Sequence, residues 1–169
     1  AMVQGMTFGT LDRCMSTTAV IGNFVPEMSV FDLPLIFRDR EHAYKALDSR
    51  GMELAKIGEK RGFKVLVRME NGMRHMTNSK RAIRKPEDMK GLKFRVMEQP
   101  TYIKMMELVG ASPTPMAFGE VYTALQKGVI DGQENPLSTI TTSRLFEVQK
   151  YISLTGHTYS AEPMLIGMK

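Results

Sequence analysis

The chain has 169 residues, 43% of them apolar and 24% charged, a balance that suits a folded globular protein and excludes a disordered one. Twenty-three basic and 18 acidic residues leave a net charge of +5, which favours anionic partners without naming one. No apolar run reaches the ~20 residues needed to cross a bilayer, and the single cysteine, Cys14, excludes an intramolecular disulfide framework or a multi-cysteine metal site.

In chain order, the opening AMVQGMTFGT has neither the basic start nor the apolar stretch of a signal peptide. The segment FDLPLIF reads as a buried strand running into a helix, with Asp39 as its cap and Glu41 in its first turn. That helix carries Tyr44, Leu47, Leu54 and Ile57 at helical spacing, and Gly62 ends it. FKVLVRM follows as a strand closed by the turn pair Asn71-Gly72. The result is a β-α-β pattern.

The pattern recurs. Pro86 opens a short helix, PEDMK, which Gly91 terminates. LKFRVM is the next strand, and Pro100 starts a helix with Tyr102, Met105, Met106 and Val109 on one stripe, stopped by Gly110. Phe118, Val121, Tyr122 and Leu125 share a face of a second helix that ends at Gly128. VIDGQENP predicts a short strand and a polar loop, and Pro136 begins a helix reaching about Leu145. The tail from Lys150 reads as two extended pieces broken around Ser160 to Pro163. Strands alternating with helices predict an α/β fold with a mostly parallel sheet. The candidate boundaries are the Asn71-Gly72 turn and the neighbourhood of Ser160.

None of the glycine-rich nucleotide-binding or nucleophile-elbow motifs occurs. His42, His75 and His157 lack metal-ligand spacing, so no metal is expected, and no cofactor is implied. The 15 methionines read as flexible core fillers.

A few residues stand out as candidates for chemistry. In GLKFRV, Lys93 and Arg95 alternate with Leu92, Phe94 and Val96. This places the basic pair either on a solvated strand face or, for Arg95, near a strand end where its planar fork could grip a carboxylate. Asn135, before Pro136, is either a turn residue or an amide able to donate to a ligand oxygen. Phe118 reads as core. Arg74 and the cluster Lys80, Arg81, Arg84 and Lys85 read as exposed charge. No aromatic residue interleaves that cluster and Glu87-Asp88 follows it, so nucleic acid is not expected as a partner.

The stretch GLKFRVMEQPTYIKMMELVGASPTPMAFGEVYTALQKGVIDGQENP resembles the signature of the TRAP transporter substrate-binding (DctP-type) family. NFVPEMSVFDLPLIFRDREHAYKALD before it, NGMRHMTNSKRAI at the first boundary and FEVQKYISLTGH after it fit as well. The resemblance implies a periplasmic-binding-protein-like, two-lobed α/β fold that closes on an organic anion and delivers it to membrane permease subunits. It implies a periplasmic location and no catalysis. Residues 1–71 would be part of lobe one and 72–160 the ligand-anchoring lobe two, with 161–169 a hinge strand returning to lobe one. Family members carry an opening β-α-β portion and closing helices not found here, so lobe two is expected largely complete and lobe one partial.

Carried over by motif, the resemblance makes Arg95 the arginine that pairs with the ligand carboxylate, Asn135 the amide beside it and Phe118 an aromatic wall. Arg74 matches a further arginine of the site, and Ser16, Thr17 and Thr18 fall where the other lobe faces the ligand. The ligand class is a small organic acid, such as a C4-dicarboxylate or a sugar acid. An enzyme acting on a small carboxylic acid would need a general acid or base, for which the chain offers Glu98 and Glu134. A ligand-sensing domain of the same fold is the other alternative.

Overall fold

The computed structural model describes residues 2–168. Its strands are β1 (Arg13–Met15), β2 (Phe63–Asn78), β3 (Lys93–Val96), β4 (Ser112–Pro115), β5 (Gly132–Pro136) and β6 (Tyr151–Gly167). Its α-helices are α1 (Met2–Thr7), α2 (Thr18–Ile21), α3 (Arg40–Ala46), α4 (Met52–Ala55), α5 (Pro100–Leu108), α6 (Val121–Gln126) and α7 (Leu137–Thr142). The chain divides into two compact units, one of Ala1–Gly72 with Thr158–Lys169 and the other of Met73–His157. The long strands β2 and β6 each run from one unit into the other.

In the first unit β6 lies between β1 and β2, and β1 pairs with it antiparallel, Cys14 opposite Leu165. The helical run over residues 40–61 starts where Asp39 Oδ1 accepts the His42 amide at 2.7 Å, as the sequence predicts for a cap. A π turn at Leu47–Gly51 and a 3-10 turn at Lys56–Arg61 complete the run, and Gly62 ends it at φ 87°. Its buried line is Ala43, Leu47, Gly51, Ala55 and Gly58, a mostly small-residue stripe. Of the large residues that the spacing singles out, Leu47 is buried, whereas Tyr44, Leu54 and Ile57 are only half-buried.

The predicted strand FDLPLIF is not one. Pro26–Asp32 forms a 3-10 helix and the chain then runs irregularly to Asp39. Pro34 has no amide to give a ladder, and Leu35 sits at a left-handed φ of 59°. The Asn71-Gly72 pair does not close a turn either. β2 continues through it to Asn78, Gly72 relieving the backbone with a φ of 118° while Asn71 Nδ2 reaches Ser160 Oγ at 3.3 Å. Nor does the tail break near Ser160, since β6 is continuous over 17 residues.

In the second unit the strands lie in the order β6-β2-β5-β3-β4. β3 pairs parallel with both of its neighbours, β4 and β5, whereas β2 runs antiparallel to β5. The sheet is therefore mixed rather than mostly parallel. β5 is the chief departure from the sequence reading: GQENP is a central strand with all five residues buried, not a polar loop. Gly132 makes this possible, because a Cβ there would meet the Thr77 carbonyl oxygen at 2.3 Å and Asn78 Cβ at 2.8 Å. Val121 and Leu125 of α6 pack with Ile130, Ile140 and Leu145 into an apolar cluster. α7 begins after Pro136 and stops at Thr142, before Arg144 at φ 54°.

Candidate functional site

Arg95 occupies the third position of β3, which is flanked by β4 and β5. Lys93 at the strand's start is exposed, but Arg95 is buried to 3% of its surface, so a solvated strand face is excluded for it. Its Nε and Nη2 both donate to the Met116 carbonyl, at 3.0 and 2.8 Å. Among the described residues Nη1 has no hydrogen-bond acceptor and the guanidinium no ion-pair partner. Burial pushes its pKa down to about 10, against the pull of Glu134. It remains a cation at any physiological pH. The Phe118 ring, 44% exposed rather than in the core, has its centroid 5.9 Å from the guanidinium carbon.

Arg74 is not exposed charge. It is 1% accessible and lies on β2 opposite Pro136, one diagonal step from Glu134, which faces Met76. Arg74 Nε reaches Glu134 Oε2 at 2.5 Å and Nη2 reaches Oε1 at 2.8 Å, a fork-on-fork ion pair. Nη2 also donates to the Glu134 carbonyl at 2.7 Å and to Asn135 Oδ1 at 3.0 Å. The guanidinium carbon stands 5.8 Å from the Tyr102 ring centroid. Gln99 accepts from the amides of Thr101 and Tyr102 and so caps the helix bearing that ring.

Asn135 is a strand residue, 5% exposed, and its Nδ2 donates to Gln133 Oε1 at 2.6 Å. Gln133 passes the chain of bonds to Thr77, which donates to Gln149. On the other side, His157 Nε2 lies 3.3 Å from Glu134 Oε2 and its Nδ1 lies 2.8 Å from the Thr155 hydroxyl. Burial pushes the Glu134 carboxyl up, but Arg74 and His157 outweigh it and hold the group well below the ordinary carboxylate range. Glu134 is thus ionised and occupied, which disqualifies it as a general base, and Glu98 is exposed. Gln133, Tyr102, His157 and the Met116 carbonyl went unflagged by the sequence.

Ser16, Thr17 and Thr18 belong to the first unit. Ser16 donates its amide to the Pro163 carbonyl at 3.2 Å, Thr17 precedes α2 as its cap residue, and the buried Thr18 hydroxyl donates to Asp32 at 3.0 Å. Thr18 is committed to tying α2 to the 3-10 turn. Of the basic cluster, Arg81 donates to the carbonyls of Asp88 and Lys90, and Lys80 pairs with Asp131 at 3.5 Å. Among the described residues no group of three His, Cys, Asp or Glu side chains could hold a metal, and no helix is long and apolar enough to cross a membrane.

The model of the DctP family, described as bacterial extracellular solute-binding protein, family 7, matches residues 1–169. The chain belongs to that family. A solute-binding protein of Verminephrobacter eiseniae is 50% identical over 159 residues, covering 94% of this chain and 48% of that protein. The 2,3-diketo-L-gulonate-binding periplasmic protein of Escherichia coli is 43% identical over 167 residues, 98% of this chain and 50% of its own. The crystal structure of a TRAP periplasmic solute-binding protein from Polaromonas sp. JS666, bound to D-erythronate, superposes with a TM-score of 0.96 at 46% identity. That match covers 98% of this chain and 55% of the Polaromonas chain. The chain spans about half the length of the curated relatives it matches. The family is one of solute-binding proteins, not of enzymes.

Proposed function

We propose that the full-length protein is the periplasmic solute-binding component of a TRAP transporter, capturing a small organic acid by its carboxylate and handing it to the membrane subunits. One observation carries this reading: Arg95 is a buried cation with a spare Nη1 and no carboxylate partner among the described residues. A buried charge without a counter-ion is costly, and a ligand carboxylate is the group that would relieve it with charge-assisted bonds. The unit Met73–His157 would be the anchoring lobe. Asn135, oriented by Arg74 and Gln133, would sit beside the carboxylate, and Phe118 would wall the remainder of the ligand. The E. coli relative named for diketogulonate and the Polaromonas structure with erythronate point to the same ligand chemistry.

The test is a thermal-shift screen of organic acids on the full-length protein, followed by titration calorimetry and product analysis of the best ligand. A ligand bound only by the folded state raises the apparent stability. Stabilisation by an acid that is recovered unchanged is the expected result. Turnover of that acid, or no response to any carboxylate, overturns the reading.

A further inference from the structure

The second unit buries two arginines near one another, yet only one of them has charge to offer. Arg74 is cancelled by Glu134 through the paired bonds at 2.5 and 2.8 Å, with side-chain exposures of 1% and 0%. Arg95 feels the charges of both but pairs with neither. Glu98, the other carboxylate acting on Arg95, is exposed. His157 adds no spare donor, its two ring nitrogens being occupied by Glu134 and Thr155. Among the described residues of this unit Arg95 is thus a buried cation without a carboxylate partner, while Asn135, Gln133, Thr77 and Gln149 are already bonded to one another.

We propose that Glu134 sets the charge class of the ligand: by consuming Arg74 it leaves the site matched to an acid with a single carboxylate and an uncharged, hydroxylated remainder. This rests on the reading of Arg95 as the anchor. A second carboxylate entering beside Arg74 would either stay unpaired in a water-poor site or pull Arg74 away and strand Glu134. Both outcomes leave a buried charge without a partner. Hydroxyl groups carry no such cost, because they can accept and donate among amides and water.

The experiment compares acids that differ only in the second carboxylate: D-erythronate with meso-tartrate, and D-galactonate with galactarate. Calorimetry on the full-length parent protein is expected to favour the monoacid of whichever pair binds by at least about tenfold. Glu134→Gln frees the charge of Arg74 and is expected to cut that ratio about tenfold, while Glu134→Asp keeps it near the parent value. The ratio is the readout because general loosening of the site weakens both members of a pair. Equal or tighter binding of the diacid by the parent overturns the proposal, as does an unchanged ratio in folded Glu134→Gln. If that variant does not fold, the parent comparison and Glu134→Asp decide. Loss of binding in Arg95→Ala alongside a diacid preference would sink only this inference. Indifference of the parent to every carboxylate sinks the anchor reading with it.

Discussion

The Arg74 guanidinium and the Glu134 carboxylate meet face to face on neighbouring strands, bonded at 2.5 and 2.8 Å, with almost no surface left to water. From Arg74 the network passes through Asn135, Gln133 and Thr77 without an exposed member. This pair is what distinguishes the two buried arginines: Arg74 has a carboxylate partner, and among the described residues Arg95 has none.

Arg95→Ala in the full-length protein is expected to lower ligand affinity by well over tenfold. Breaking one side of a buried charge pair costs ~2–5 kcal/mol, much of it from stranding the partner. Arg95→Lys keeps the charge and loses the fork, so it should also bind measurably worse. Calorimetry with the best acid checks both, and affinities within about twofold of the parent in folded protein would refute the anchor.

Removal of Phe118 should separate binding from stability. The ring is 44% exposed, so Phe118→Ala is expected to change unfolding free energy by no more than about 0.5 kcal/mol. Ligand affinity should nevertheless fall several-fold, since the ring stands over the Arg95 guanidinium. Paired thermal unfolding and calorimetry read the two quantities, and an unchanged affinity would remove Phe118 from the site.

Glu134 makes acid stability a diagnostic. Burial raises its pKa while Arg74 and His157 lower it further, so the folded-state value lies below that of the unfolded chain. The stability contributed is therefore fully present above the ordinary glutamate value of about 4.3 and is lost as pH falls through the folded-state pKa. Glu134→Gln strands Arg74 and should cost about 3–5 kcal/mol at neutral pH. Its melting temperature should then decline less steeply than the parent's as the pH is lowered from neutral towards 3. Parallel acid limbs would show that the pair contributes nothing to that slope.

Gly132→Ala should be severely destabilising, because its methyl group would meet the Thr77 carbonyl at 2.3 Å and Asn78 Cβ at 2.8 Å. Overpacking costs typically about 1–3 kcal/mol, and here the obstacle is backbone that cannot swing aside. A melting temperature within a degree of the parent's would mean that β2 and β5 can part freely at this point.

The helical parts of the fold were legible where local rules sufficed. Asp39 caps its helix, Gly62 stops it, and Tyr102 and Met106 give α5 the buried stripe that their spacing predicts. β5 was illegible because its side chains are polar and satisfied by residues about 60 positions away, which no local window can see. The same long-range pairing hid the burial of Arg74, whose partner is defined by strand register and not by sequence distance. FDLPLIF misled in the opposite sense: its apolar run looks like a strand, but Leu33, Leu35 and Ile36 are exposed and Pro34 interrupts any ladder. Within the site, resemblance supplied Arg95, Asn135 and Phe118 as candidates. Only the folded structure distinguishes an arginine with a counter-ion from one without.

The interlocked strand β5 also has an evolutionary consequence. Gln133, Glu134 and Asn135 each hold a bond to another buried side chain, so replacing any one alone orphans a neighbour. Such positions drift only in concert, through paired substitutions that rarely arise together. On the proposed function, changes of ligand choice should therefore accumulate at exposed positions such as Phe118 rather than along β5.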